Sequence, residues 1–411
     1  MSSRVLTLAK VSVVKVPRKC FDEDVFNGVK RSIELLGGPE SFAKQGDKVV
    51  VKPNILNVTD VEATDPRVIY AVSKIFRDIG CDVIVGENPL VGTRSSEVFE
   101  KMRIREVVEK AGARFVDFRR DEQVTVEVPN ARGCPTLRVA KTVMEADLII
   151  SLPVMKHHGL CNVTLGLKNM WGVIGPTQRR LGHLNSLNWT LAELNRILRV
   201  RLTIIEGLIG VGYSDAFPLG LIIAGDDPVA TDAIACLRMG FNPTSIEHIR
   251  YAHELGLGEI DPKKIELVGT TLDQLVKDGK AARKIFVMPL AKPARLLKQA
   301  RNVKLVQGDV CSGCEKKLSI AIKKIGVREI AKGPKMAIVI GRGAKPVEGR
   351  INVIIGRCLQ DYRDKGVFVD YCPAYDPDIR QAIEVALGKR GKITYLWDEL
   401  EQKMEKGLPG A

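Results

Sequence analysis

The segment LIISLPVMKHHGLCNVTLGLKNMWG, Leu148 to Gly172, decides how the rest of the chain is read. Leu148-Ile149-Ile150 is a short apolar run of the kind that forms a buried strand, and Pro153 stops it. Beyond it the polar residues crowd together: Lys156, His157 and His158, then Asn162, Thr164, Lys168 and Asn169. Gly159, Gly166 and Gly172 allow close backbone approach. Open α/β sheets keep their ligands where a strand ends in such a segment. A polar loop with one satisfied histidine is the plain alternative. The convergence of two lysines, two imidazoles and two amides favours a site.

Outward from this segment, strands and helices alternate. Residues 46–51 form a strand entering Lys52-Pro53-Asn54, and the 3.6-residue periodicity of Pro66 to Ile79 predicts a helix stopped by Gly80. Asp82 to Gly86 is a strand delivering Glu87-Asn88, Ser95 to Ala111 a helix, and Arg114 to Asp117 a strand. Val124–Val128 and Leu137–Ala140 read as an antiparallel excursion. Thr190–Leu198 is a helix, Leu202–Ile205 a strand ending at Glu206, Leu221–Ala224 a strand, and Val229–Arg238 and Ile246–Glu254 are helices. The expected fold is therefore α/β: a largely parallel sheet with helices on both faces, followed by a smaller C-terminal α/β cysteine module. The expected divisions are 1–270 for the large unit, 271–301 for a helical, proline-containing linker, 302–390 for the cysteine module and 391–411 for a tail.

Polar clusters fall at the ends of four of these strands, at Lys52/Asn54, Glu87/Asn88, Lys156/His158 and Glu206. One shared crevice is expected there. Lys52, Asn54 and Asn169 are its candidate substrate-binding residues, and Lys156, Lys168, His158, Glu87 and Glu206 its candidate catalytic residues. His158 is the expected general acid or base, because an unperturbed imidazole titrates near neutrality. Glu87 or Glu206 would orient it or carry a second proton. Asp65, Asp226 and Asp227 precede helices and read as caps. The chain has no Gly-x-Gly-x-x-Gly dinucleotide signature and no Gly-Lys-Ser/Thr phosphate loop.

Cys311, Cys314, Cys358 and Cys372 form a second constellation, C-x2-C, 43 residues, Cys, 13 residues, Cys. Each follows a predicted strand: Asn302–Val306, Ile351–Ile355 and Gly366–Val369. Parallel strands would bring all four thiols to one edge. Four thiolates suit a 4Fe-4S iron–sulfur cluster or a tetrahedral zinc, and unligated redox thiols are the third option. The remaining five cysteines are scattered.

The 411 residues carry a net charge of +14, with 45% hydrophobic and 27% charged residues, ordinary for a globular protein. No apolar run is long enough to span a membrane, and the N-terminal stretch lacks a signal peptide's pattern. The protein is expected to be cytoplasmic, with reduced thiols. The basic excess concentrates in residues 291–350, with 15 Lys or Arg against 4 Asp or Glu and no aromatic residue. That stretch is expected to dock an acidic electron-transfer partner or to shield a cluster, rather than to bind nucleic acid, which would call for interleaved aromatics.

Pro153, Lys156, His158, Gly159, Thr164, Lys168 and Asn169 match the pattern P-x-x-K-x-H-G-x-x-x-x-T-x-x-x-K-N. With Val51-Lys52-Pro53-Asn54, Thr64-Asp65-Pro66 and Ala224 to Asp232, this resembles the family catalogued as domain of unknown function 362, over residues 45 to 270 or so. Glu206-Gly207 stands where that family often has Asp-Gly. The resemblance implies iron–sulfur ligands near the C-terminus. The expectation that follows is an iron–sulfur oxidoreductase acting on a small anionic substrate. The alternatives are a hydrolase, lyase or isomerase with a structural zinc, and a nucleic-acid-binding zinc protein.

Overall fold

The computed structural model describes residues 8–57, 61–90 and 93–399. The strands, in chain order, are β1 (Lys10–Lys15), β2 (Lys48–Pro53), β3 (Asp82–Glu87), β4 (Arg114–Asp117), β5 (Gln123–Glu127), β6 (Thr136–Ala140), β7 (Leu148–Leu152), β8 (Val154–His158), β9 (Asn162–Thr164), β10 (Leu202–Val211), β11 (Ala216–Gly225), β12 (Glu266–Val268), β13 (Val303–Gln307), β14 (Met336–Ile340), β15 (Ile351–Ile355) and β16 (Val367–Val369). The large sheet runs β12-β1-β11-β10-β7-β2-β3-β4, with β8 attached to β10 and β9 to β8. β10, β7, β2, β3 and β4 are mutually parallel.

Hydrophobic runs explain this centre. Val49, Val50 and Val51 of β2 and Leu148, Ile149 and Ile150 of β7 are buried, as in a sheet covered on both faces. The helices Asp22–Glu34 and Pro66–Asp78 cover one face. The helix Leu187–Leu198, with Trp171 and Ile174, covers the other. Each buried Val, Leu or Ile side chain contributes roughly 1.5–3 kcal/mol.

Two elements differ from the sequence reading. β11 runs antiparallel to β10 and β1, because a tight turn, closed by the Gly212 N–H donating to the Asp215 carbonyl at 2.7 Å, reverses the chain without a crossover. The helix expected over Ser95 to Ala111 is two, Ser95–Lys101 and Ile104–Lys110, broken where Arg103 adopts φ 51°. The helix Leu272–Phe286 lies in the expected helical segment, and its Leu275, Ala282 and Phe286 join the core under β11.

The second sheet, β13-β14-β15-β16, is parallel throughout. The helices Ser312–Ile325 and Asp376–Ala386 pack on it. No helix among the described residues is long and apolar enough to cross a membrane.

Candidate functional site

β2 lies between β7 and β3, so their carboxyl ends are immediate neighbours. β8 continues beyond β7 by pairing with the far end of β10, Lys156 opposite Val211. A cavity of about 470 Å³ opens over these ends. Lys52, Asn54, Glu87, Lys156, His158, Lys168 and Asn169 all line it.

Most of its polar groups are already engaged with the protein. Lys52 Nζ donates to Glu87 Oε2 at 2.7 Å, to the Pro53 carbonyl at 2.6 Å and to Asn169 Oδ1 at 3.2 Å. Burial lowers the Lys52 pKa, opposed by Glu87. Glu87 also accepts from the backbone N–H of Ile55 and Asn88, so its carboxylate holds Lys52 and not the expected His158. Gly172 makes room for the pair. A Cβ there would lie 2.0 Å from Glu87 Oε1 and 2.4 Å from Lys52 Cε. Asn169 Nδ2 donates to the Lys52 carbonyl and Ser151 Oγ. Asn54 Nδ2 donates to the Glu62 carbonyl, and so does Lys156 Nζ, at 3.0 Å.

His158 departs from its expected role. Its Nδ1 accepts from the backbone N–H of Leu160 at 3.2 Å and Cys161 at 3.0 Å. An acceptor nitrogen carries no proton, so the neutral ring holds its proton on Nε2. Burial, then the charge of Lys168, moves the imidazole well below its usual range. His158 is therefore a neutral Nε2–H donor at physiological pH, not a base.

Lys168 is the cavity's uncommitted cation. Its Nζ sits 5.7 Å from the centre of the Trp171 ring, and among the described residues no oxygen is recorded within hydrogen-bond distance of it. Burial, reinforced by Arg179, Lys156 and Lys52, lowers its pKa to about 8, against the pull of Cys161.

The sequence reading missed the opposite wall, made by Arg179, His183, Lys317, Tyr375 and Trp397. Arg179 and His183 lie four residues apart on one face of the helix Pro176–Asn185, a spacing that could have flagged them. Buried Arg179 donates to carbonyls, those of Asn88, Pro89, Trp171 and Ile174. Tyr375 Oη lies 3.0 Å from His183 Nδ1, and Trp397 Nε1 donates to that hydroxyl at 3.3 Å.

Glu206 does not line this cavity. β10 runs on to Val211, so Glu206 sits within the strand, 3% exposed, accepting from the N–H groups of Leu208 and Ile209. Burial pushes its carboxyl up to about 8. Asp65 and Asp227 cap their helices, accepting from Arg67 N–H and from Val229 and Ala230 N–H respectively. Asp226 accepts from the Lys10 N–H.

Cys311, Cys314, Cys358 and Cys372 all line a second cavity, of about 100 Å³, at the carboxyl edge of the small sheet. The Ala374 N–H donates to Cys314 Sγ at 3.4 Å. The donor set, four thiols with a backbone N–H aimed at sulfur, fits a four-thiolate group. Among the described residues no group of three or more His, Cys, Asp or Glu side chains closes tightly enough to hold a single metal ion.

The two cavities share a wall. The Cys372 N–H donates to the His183 carbonyl and the Leu187 N–H to the Cys372 carbonyl, both at 2.8 Å. Lys316 Nζ donates to the His158 carbonyl at 3.1 Å. Gly313, between Cys311 and Cys314, is pressed against the Leu160 carbonyl, which a Cβ would approach to 2.6 Å.

Among solved structures, the lactate racemase apoprotein from Thermoanaerobacterium thermosaccharolyticum overlaps 60% of this chain and 56% of its own, at TM-score 0.33 and 12% identity. This chain thus spans little more than half of that protein, and the likeness carries no argument. The thylakoid-associated protein sll1697 of Synechocystis sp. is 28% identical over 239 residues, 55% of this chain and 73% of that protein. The cavity-lining segments of β2, β3 and β7 to β9, and the helix bearing Arg179, fall within residues 49–237, and those residues match the family described as Domain of unknown function (DUF362).

Proposed function

We propose that this chain is a four-thiolate iron–sulfur protein whose electropositive cavity carries out redox chemistry on a small anionic substrate. The observation that carries this reading is the shared wall. The thiol of Cys372 lines one cavity, while its N–H is bonded to the carbonyl of His183, which lines the other. When bound, a 4Fe-4S cluster supplies one-electron transfer. Cys311, Cys314, Cys358 and Cys372 would hold it. Lys156 and Lys168 would attract the anion, His158 would donate a hydrogen bond from Nε2, and Lys52, Glu87, Asn54 and Asn169 would fix the cavity's shape. The basic stretch 291–350 would receive an acidic electron-transfer protein, and the setting would be cytoplasmic.

Anaerobic reconstitution tests the reading. Iron and acid-labile sulfide near four of each per chain, a broad visible absorption band and loss of both in the four-fold Cys→Ser variant are expected. Stoichiometric zinc without colour would replace it with a structural-zinc enzyme. Full metal retention in the four-fold variant would remove both readings.

A further inference from the structure

We propose that Lys168 is a nucleophile that forms an imine with a substrate carbonyl, so that the cavity takes a carbonyl compound bearing an anionic group. This rests on the reading of the cavity as an anion site and goes beyond it.

The argument begins with how the cavity's cations are used. Lys52 is bound to Glu87, Lys156 to the Glu62 carbonyl, Lys317 to Asp376 and Arg179 to carbonyls. Lys168 has the face of Trp171 instead. The carboxylate of Glu87 is turned to Lys52 and two backbone N–H groups, and no bond from Lys168 to it is present among the described residues. Burial, with the surrounding cations, lowers its pKa to about 8, which leaves roughly a tenth of it as free amine near pH 7, the kind of environment that activates imine-forming lysines. His158 complements it. With Nδ1 taken by two backbone N–H groups, its Nε2–H is the donor that a carbonyl oxygen needs while negative charge develops there. The remaining positive charge suits a carboxylate next to that carbonyl.

The step balances without an oxidant or reductant. The Nζ lone pair forms the C–N bond as the carbonyl π pair moves to oxygen. That oxygen takes up one proton from the nitrogen, relayed by solvent. Loss of the second N–H proton and of the hydroxyl, together as water, leaves the C=N bond.

The test uses the full chain with glyoxylate as probe, cyanoborohydride as trap and peptide mass mapping as readout. Lys168 is expected to acquire the carboxymethyl group more than about tenfold faster than surface lysines, as its larger free-amine fraction requires. Oxalate, an anion without a reactive carbonyl, is expected to raise the melting temperature and to protect Lys168 from labelling. K168R is expected to lose the label at that peptide. Because oxalate protection is read on the unmodified protein, the test does not depend on that variant folding. Labelling of Lys168 no faster than surface lysines, with oxalate still stabilising, overturns the imine and leaves the anion site. No stabilisation by oxalate, and no protection, overturns both.

Discussion

The two cavities lie back to back, and their side chains are committed to opposite degrees. In the larger one the fixed charges are answered by the protein itself: Lys52 by Glu87 and Asn169, Lys156 and Arg179 by carbonyls. Among the described residues Lys168, the Nε2–H of His158 and the Thr164 hydroxyl are left over. In the smaller one, four thiols face one space, with backbone N–H groups directed at Cys311, Cys314 and Cys358. The first is a preorganised cradle with a few spare groups; the second is a donor set whose geometry a ligand would complete. The difference predicts that single changes in the first cavity damage the fold. Changes in the second are expected to damage what binds there.

The largest effect is expected at Lys52. Removing one member of a buried ion pair leaves an uncompensated charge, at about 3–5 kcal/mol. Lys52→Ala should therefore shift the denaturant midpoint far more than Lys168→Ala, and Lys52→Met combined with Glu87→Leu should recover part of the loss. Equal costs for Lys52→Ala and Lys168→Ala would erase the distinction between committed and spare cations. Gly172→Ala comes next. Its Cβ would overlap both members of the pair, and overpacking of this kind costs about 1–3 kcal/mol. Calorimetry should show a lower melting temperature. A variant as stable as the parent would mean the pair can move aside.

The pH dependence of anion binding sharpens the contrast within the cradle. Lys156 and Lys168 have folded pKa values lowered to about 8, mainly by burial, below the unfolded value. Between pH 8 and about 10.4 the unfolded chain binds more of these protons, so their contribution makes stability rise with pH there. Anion affinity runs the other way. It should be flat from pH 5.5 to 7, where both lysines are mostly charged. Above pH 8 it should fall, approaching roughly tenfold per unit for each ammonium the anion requires. Oxalate titrations followed by calorimetry check this. A step in affinity near pH 6.5 would mean that His158 titrates, contrary to its Nδ1 acceptor geometry.

How much of this was legible follows from the same physics. β2, β3 and β7 announce themselves because strands buried on both faces read as continuous apolar runs. Their neighbouring ends bring Lys52, Glu87 and Lys156 together, as expected from position alone. Glu206 misled because Gly207 and Gly210 hide the apolar continuation of β10, so a residue inside the strand looked terminal. Buried Arg179 and His183 sit on a helix too polar to look like a core element. Trp397 lies in what reads as a tail. His158 was found, but its role depends on two backbone N–H groups that no side-chain pattern encodes.

The smallest predicted effect concerns that tail. Arg180 and Asp398 form an ion pair at 3.0 Å with side chains 34% and 45% exposed. Solvent screening limits such a pair to about 0–1 kcal/mol. Trp397, in contrast, is 7% exposed, lines the cavity and donates to Tyr375. If the C-terminal segment is held by burial, Asp398→Ala should leave both melting temperature and oxalate affinity nearly unchanged. Trp397→Phe should keep the wall but lose the hydrogen bond, at about 0.5–1.5 kcal/mol. A larger loss from Asp398→Ala than from Trp397→Phe would mean that charge, not the buried ring, closes the cavity.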